Sequence, residues 1–256
     1  MMISIIIPSY KDPYLNNTVE SLLLNAKGEI EIICVLDGWW TAPIDDKRVR
    51  VLHIGQNKGM RNAINMGVAM ANGKYIMKLD SHCTVAEGFD KELIKAHQEN
   101  WVQVPTRKRL DAEKWELVND GRSDINYLYL DENLKGVLWN DRNADKELKN
   151  KKIDDIVAFQ GSCYFMSKDF YKRLEILDDV NFGAMGHESQ EITFKCWLKG
   201  GHVIRNKNTW YAHWHRTESP SGGNYNRSKS RTCLSGWYKR RKEKIDKYIK
   251  LYGKTT

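Results

Sequence analysis

With 256 residues and 41 Lys and Arg against 33 Asp and Glu, the chain carries a formal charge of +8. That length suits one α/β domain with an appendage, and the charge favours an anionic partner without choosing among nucleotide, nucleic acid and membrane surface. No apolar run reaches the ~18 residues of a membrane span, and residues 1–8 lack the basic flank and length of a secretory leader, so a soluble, cytoplasmic protein is expected. Five scattered cysteines without a Cys-x-x-Cys pair argue against a disulfide framework or a zinc ribbon.

The chain opens on a β-branched run, Ile3 to Ile7, closed by Pro8, which predicts a buried parallel strand feeding a loop at 9–13. Thr18, Val19, Leu22, Leu23 and Ala26 supply the apolar face of a helix, with Gly28 as its stop. Strands are predicted over Glu31 to Leu36, ending at Asp37, and over Arg48 to Ile54. A helix over Lys58 to Ala71 is broken by Asn72-Gly73, and a fourth strand covers Lys74 to Leu79. This alternation predicts right-handed crossovers and a mainly parallel, Rossmann-like sheet flanked by helices, with ligands beyond the carboxyl ends of the strands, where Pro8, Tyr10, Asp37 and Asp80 lie.

The second half is less regular. A helix is predicted over Glu87 to Asn100, a strand over Trp101 to Pro105, and a short strand at Tyr127 to Leu130 within a polar segment, 107–152, of little periodicity. Beyond it come a strand over Val157 to Ser167, helices over Lys168 to Leu174 and Glu188 to Leu198, and strands over His202 to Arg205 and Thr209 to Trp214. A Gly, Ser and Asn-rich linker at Pro220 to Asn226 precedes a basic amphipathic helix over Leu234 to Tyr252.

The densest chemistry sits at the end of the fourth strand. Asp80 and His82 are two residues apart, so in extended backbone they face the same side and can offer an oxygen and a nitrogen to one cation, a donor set better suited to Mn²⁺ than to Ca²⁺. A satisfied strand-end pair is the bland alternative.

Several segments together resemble the GT-A fold glycosyltransferases of family 2, and in particular the polypeptide N-acetylgalactosaminyltransferases. Ser4 to Tyr10 resembles the strand that cradles uridine, Glu31 to Asp37 the strand whose last aspartate binds uracil, and Asn57 to Ala63 the donor-binding helix start with Arg61 toward the nucleotide. Leu79-Asp80-Ser81-His82-Cys83 resembles their Asp-x-His metal motif. Gln160 to Phe165, with Gly161 and Ser162, resembles the loop that contacts the sugar. Gly186 to Glu191 resembles a Gly-Gly-Glu-Asn element, with His187 in place of a glycine. Tyr211 to Arg216 resembles the segment bearing a third metal ligand, matched by His213 with His215 as runner-up, and a diphosphate-binding arginine, Arg216.

The resemblance implies a GT-A domain over 1–220, with a donor half at about 1–105 and an acceptor half at about 106–220, followed by the linker and basic helical tail over 221–256. It implies a UDP-sugar donor and Mn²⁺ or Mg²⁺ held by Asp80, His82 and His213, with Glu188 and Arg216 in catalytic roles. Where inverting relatives carry a Glu-Asp pair, this chain has Glu188-Ser189, so transfer with retention is expected, Glu191 being the alternative base if the register differs. An inverting transferase acting on a polyanionic acceptor, such as modified DNA or a cell-wall polymer, is the alternative, since basic residues crowd 227–254. A nucleic-acid-binding protein with a degenerate transferase core is a rival from another class; a pyrophosphorylase is disfavoured because 8–12 is not a Gly-rich phosphate loop.

Overall fold

The computed structural model describes residues 1–42, 44–215 and 228–253. The donor half runs β1 (Ile3–Ser9), α1 (Leu15–Asn25), β2 (Ile30–Asp37), β3 (Val49–Ile54), α2 (Met60–Met70), β4 (Tyr75–Leu79), β5 (Cys83–Val85) and α3 (Phe89–Ala96). The remainder comprises β6 (Trp101–Asp111), β7 (Glu116–Leu117), β8 (Leu128–Leu130), β9 (Gly136–Leu138), α4 (Asn140–Ala144), α5 (Lys146–Asn150), β10 (Ile153–Asp155), β11 (Cys163–Ser167), α6 (Lys168–Leu174), α7 (Asp179–Phe182), α8 (Glu188–Leu198), β12 (His202–His213), α9 (Ser228–Lys239) and α10 (Lys242–Tyr252). One sheet has the order β10-β12-β6-β11-β4-β1-β2-β3, with β5 added to β12 and β7 to β6.

The apolar runs of the first strands follow from burial on both faces. Ile3, Ile5 and Ile7 pack with Leu15, Val19 and Leu22 of α1 and Phe89 and Leu93 of α3, whereas Ile6 packs on the opposite face with Ala63, Ile64 and Val68 of α2. Strands β3, β2, β1 and β4 are all parallel, as the alternation predicts. Beyond β4 the sheet is mixed: β11 is antiparallel to both β4 and β6, while β6 and β12 are parallel.

Four expectations change here. The helix predicted over Glu87 to Asn100 spans only Phe89–Ala96, because Gly88 is left-handed at φ 67° and His97 is already extended. The strand predicted to stop at Pro105 continues to Asp111, and the two strands predicted after His202 are one. Pro105 has no N–H to give the ladder, and β12 accommodates it by a break in pairing register between Asn206 and Trp210. The strand predicted over Val157 to Ser167 begins only at Cys163, since the Gly161 and Ser162 carbonyls are turned toward Lys78 and Asp80.

The tail is two helices. A turn at Arg240–Arg241 lets Leu234 of α9 and Ile245 of α10 both reach the Phe194 and Trp197 faces of α8, with Tyr248 stacked on Trp197 at 5.5 Å. The basic segment therefore packs on the domain through these apolar residues. The linker over 220–226 lies outside the described residues. Among the described residues no helix is long and apolar enough to cross a membrane.

Candidate active site

Strand pairing explains how distant residues meet. Leu79 of β4 sits opposite Cys163 of β11, and Asp80 N–H donates to the Ser162 carbonyl at 2.9 Å. Antiparallel pairing of β5 with β12 sets His213 opposite Cys83, and Trp214 N–H donates to the His82 carbonyl at 3.1 Å. Asp80, His82 and His213 consequently converge, their three ligand atoms all within 4.8 Å of one another.

His213 Nε2 lies 3.1 Å from Asp80 Oδ2 and 3.1 Å from His82 Nε2. Arg107 Nη2 lies 3.1 Å from His213 Nδ1, on the side of the ring away from Asp80 and His82. Burial lowers the His213 pKa to about 4 despite the neighbouring Asp80 carboxylate, so the ring is neutral near pH 7. Burial alone would raise the Asp80 carboxyl, but Lys78, His213 and His82 hold it well below the usual carboxylate range. An ionised carboxylate and a neutral imidazole are the forms in which Asp80 and His213 would bind a divalent cation.

Supporting residues complete the centre. Asp12 Oδ2 accepts from Ser81 Oγ at 2.5 Å and lies 2.7 Å from His82 Nδ1, which fixes the ring with Nε2 toward the other two ligand atoms. Lys78, buried on β4, ion-pairs with Asp80 and donates to the Gly161 carbonyl at 2.6 Å. Asp12, Lys78 and Arg107 were missed in the sequence. For Lys78 a signal existed: it precedes Asp80 by two residues on an otherwise apolar strand and so shares its face. Nothing local marked Asp12 or Arg107.

A cavity of ≈ 810 Å³ opens beside this centre, and Asp80, His213, Gly161, Ser162 and Glu188 all line it. Ser162 Oγ is 2.8 Å from the buried Tyr211 hydroxyl, and Glu188 Oε1 accepts from Gly186 N–H at 2.6 Å at the start of α8. His187, standing where the resembled relatives have glycine, adopts φ 60°, the left-handed region, and its Nδ1 lies 3.0 Å from Ser230 Oγ of α9. Arg231 of α9 also borders the cavity, so the tail closes one of its walls. A second cavity of ≈ 390 Å³ shares His213 and the runner-up His215 with the first and is lined by Arg107, Arg109 and Arg122.

Other expected donor contacts are placed differently. Pro8 is buried at the end of β1 and Tyr10 half-buried beyond it. Both Asp37 carboxylate oxygens accept backbone N–H groups, from Lys58 at 2.7 Å and Gly59 at 2.8 Å, so this aspartate anchors the loop into α2. Gly59 has φ 95°, and a Cβ there would collide with Ala184. Arg61, expected toward the nucleotide, is 0% exposed, ion-paired with Glu191 and donating to the Gly186 carbonyl at 2.7 Å. Glu191, the alternative base, is 1% exposed and also takes Lys195 at 2.8 Å, leaving it no access to an acceptor. The pair joins α2 to α8 in the interior. Arg216 lies outside the described residues.

The family model described as glycosyl transferase family 2 matches residues 4–175. The chain belongs to this family. Among curated relatives, the glycosyltransferase GlyG of Streptococcus pneumoniae serotype 4 is 36% identical over 112 residues, covering 40% of this chain and 37% of that protein. Mouse polypeptide N-acetylgalactosaminyltransferase 5 is 26% identical over 185 residues, 64% of this chain but only 19% of that enzyme. The chain thus spans well under half the length of these relatives. In structure it is similar to GalNAc-T7, crystallised with UDP, GalNAc and Mn²⁺, at TM-score 0.75 and 19% identity, with 97% of this chain and 50% of that one covered. It is also similar to Staphylococcus aureus TarS with UDP-GlcNAc, at TM-score 0.56 and 15% identity over 88% of this chain and 62% of that one. These likenesses establish the GT-A fold that the sequence motifs imply.

Proposed function

We propose that this chain is a metal-dependent glycosyltransferase that moves a sugar from a UDP-sugar to an acceptor hydroxyl in the cytoplasm. One observation carries the proposal: Asp80, His82 and His213 converge at the edge of a cavity whose other walls include Glu188, Gly161 and Ser162. One carboxylate oxygen and two imidazoles fit Mn²⁺, with Mg²⁺ the poorer match to the nitrogen donors. When bound, such a cation supplies positive charge to a departing diphosphate. The relatives with bound UDP or UDP-GlcNAc support the choice of donor.

The chain's own groups prepare that site. Lys78 keeps Asp80 ionised, Asp12 holds the His82 ring, and Gly161 and Ser162 offer backbone and hydroxyl contacts beside Asp80. Glu188, its carboxylate steadied by Gly186 N–H, orients the sugar or the acceptor, and Arg216 serves the diphosphate. Transfer with retention is part of the proposal, supported by Ser189 in the place of the inverting base and by the closed ion pairing of Glu191.

The test is UDP release from a panel of UDP-sugars with Mn²⁺ and with chelator. Release that depends on Mn²⁺ and disappears in Asp80→Ala and His213→Ala is expected. No release from any donor, or release indifferent to both substitutions, would overturn the proposal.

A further inference from the structure

A second recess lies where β12 breaks register. Pro105 interrupts the ladder, and the backbone over 207–209 leaves β6, while on the other edge of β12 Lys207 N–H extends the β10 pairing by donating to the Lys152 carbonyl at 2.8 Å. The resulting recess of ≈ 450 Å³ is bordered by Lys108, Arg122, Lys149, Lys152 and Lys207, against a single carboxylate, Asp124. Along β12 the lining of the recess runs from Lys207 to Trp210, whose Cα is three residues, ~10 Å, before that of His213.

Two features mark it as a built site. The floor is polar and rigid: Thr106 Oγ1 donates to Asn126 Oδ1 at 2.9 Å, and Asn143 Oδ1 accepts Asn126 N–H at 2.7 Å. Within that floor Thr209 is 2% exposed, and its hydroxyl has no hydrogen-bond partner among the described residues. The rim is cationic and largely unneutralised. Arg122 is shared with Asp120, but among the described residues neither Lys149 nor Lys152 has a carboxylate partner, and both are exposed. Half-buried Lys207 donates to the Tyr127 hydroxyl at 2.7 Å and to the Leu148 carbonyl, and burial lowers its pKa to about 8, so an anion in the recess would be repaid by a fully charged ammonium. Lys108, its ammonium 5.2 Å from the Trp210 ring centre, adds an aromatic edge.

We propose that this recess binds phosphate groups of an extended phosphate-bearing chain and holds it on the protein at a distance from the metal centre. Arg122 borders both this recess and the ≈ 390 Å³ cavity beside His213, where Arg107 and Arg109 continue the positive charge. A chain occupying the recess can therefore turn around Arg122 toward the cavity. Several point cations on a polar floor suit repeated monoanions better than one compact ligand. The inference rests on the transferase reading only for what the bound chain is for, an acceptor; the binding itself does not require turnover.

The experiment is fluorescence anisotropy of the full chain with a labelled single-stranded 12-mer oligodeoxynucleotide, competed by long-chain inorganic polyphosphate, across a salt titration. The rim variant Lys149→Gln with Lys152→Gln should weaken both ligands about tenfold and lower the magnitude of the log K against log salt slope by ~1.4, two phosphate contacts at ~0.7 each for a single strand. The same number of charges removed from α10, Lys244→Gln with Lys247→Gln, should leave binding within about twofold. Weakening of the oligonucleotide alone, with polyphosphate failing to compete, assigns the recess to a nucleic-acid strand; weakening of both assigns it to phosphate chains in general. An unchanged affinity and slope in the rim variant, or an equal loss in the α10 control, overturns the proposal. UDP binding with Mn²⁺ is measured in parallel on the same variants. Donor binding without chain binding sinks this inference alone, and chain binding without donor binding sinks the transferase reading alone.

Discussion

Nε2 of His82 and Nε2 of His213 stand 3.1 Å apart although 131 positions separate them in the chain, and Asp80 completes the triangle. Their proximity depends on the β5–β12 ladder, not on either local motif. His213→Ala should therefore reduce Mn²⁺ binding, followed by calorimetry, below detection while leaving the melting temperature of the metal-free protein within a few degrees. Undiminished Mn²⁺ affinity in this variant would place the cation elsewhere.

Asp12 acts through His82. Its carboxylate lies 2.7 Å from Nδ1, and groups that orient a ligating histidine in this way typically support ~10–100-fold in metal affinity. Asp12→Asn should weaken Mn²⁺ within that range and raise the Mn²⁺ concentration needed for half-maximal UDP release, with maximal release recovered at saturating metal. Loss that saturating metal fails to restore would point to a role beyond orientation.

Arg61 and Glu191 form a buried pair, at 0% and 1% exposure, and removing Arg61 leaves the buried Glu191 carboxylate with Lys195 as its remaining ion-pair partner. Arg61→Ala should cost about 3–5 kcal/mol in urea unfolding, and Arg61→Met with Glu191→Met should recover most of that. If Arg61→Ala instead left stability intact and weakened UDP binding, the nucleotide contact implied by the family resemblance would hold after all.

His97 sets a pH dependence away from the metal centre. Burial, aided by Lys74 and opposed by Glu99, lowers its pKa from 6.5 to about 4. Between these values the unfolded chain binds a proton that the folded chain does not, so stability is highest above about pH 6.5, declines as pH falls, and loses this slope below about pH 4. The contribution is at most ~1.4 kcal/mol per pH unit. His97→Gln, which keeps a polar partner for Gln103, should flatten urea stability between pH 4.5 and 6.5; an unchanged slope would assign it to other groups.

The donor half was legible from local pattern alone. Continuous β-branched strands alternating with amphipathic helices admit little besides a parallel sheet buried on both faces, and the i, i+2 spacing of Asp80 and His82 is a property of extended backbone wherever it occurs. The order of short motifs likewise carried the family and the choice of His213, because such motifs are local. Partnerships across long separations came from the fold. Arg61 was expected toward the nucleotide and Glu191 as an alternative base, and the fold buries the two against each other; the basic tail admitted both a polyanion binder and a packed amphipathic helix, and the fold lays Leu234 and Ile245 against α8. Asp12 and the recess at Pro105 were invisible for the same reason, and the i, i+2 spacing of Lys78 and Asp80 was the one local sign of Lys78. A charge on a strand or in a loop acquires its role from whatever lies opposite, and here the opposite residue is set by strand register, which no local pattern specifies.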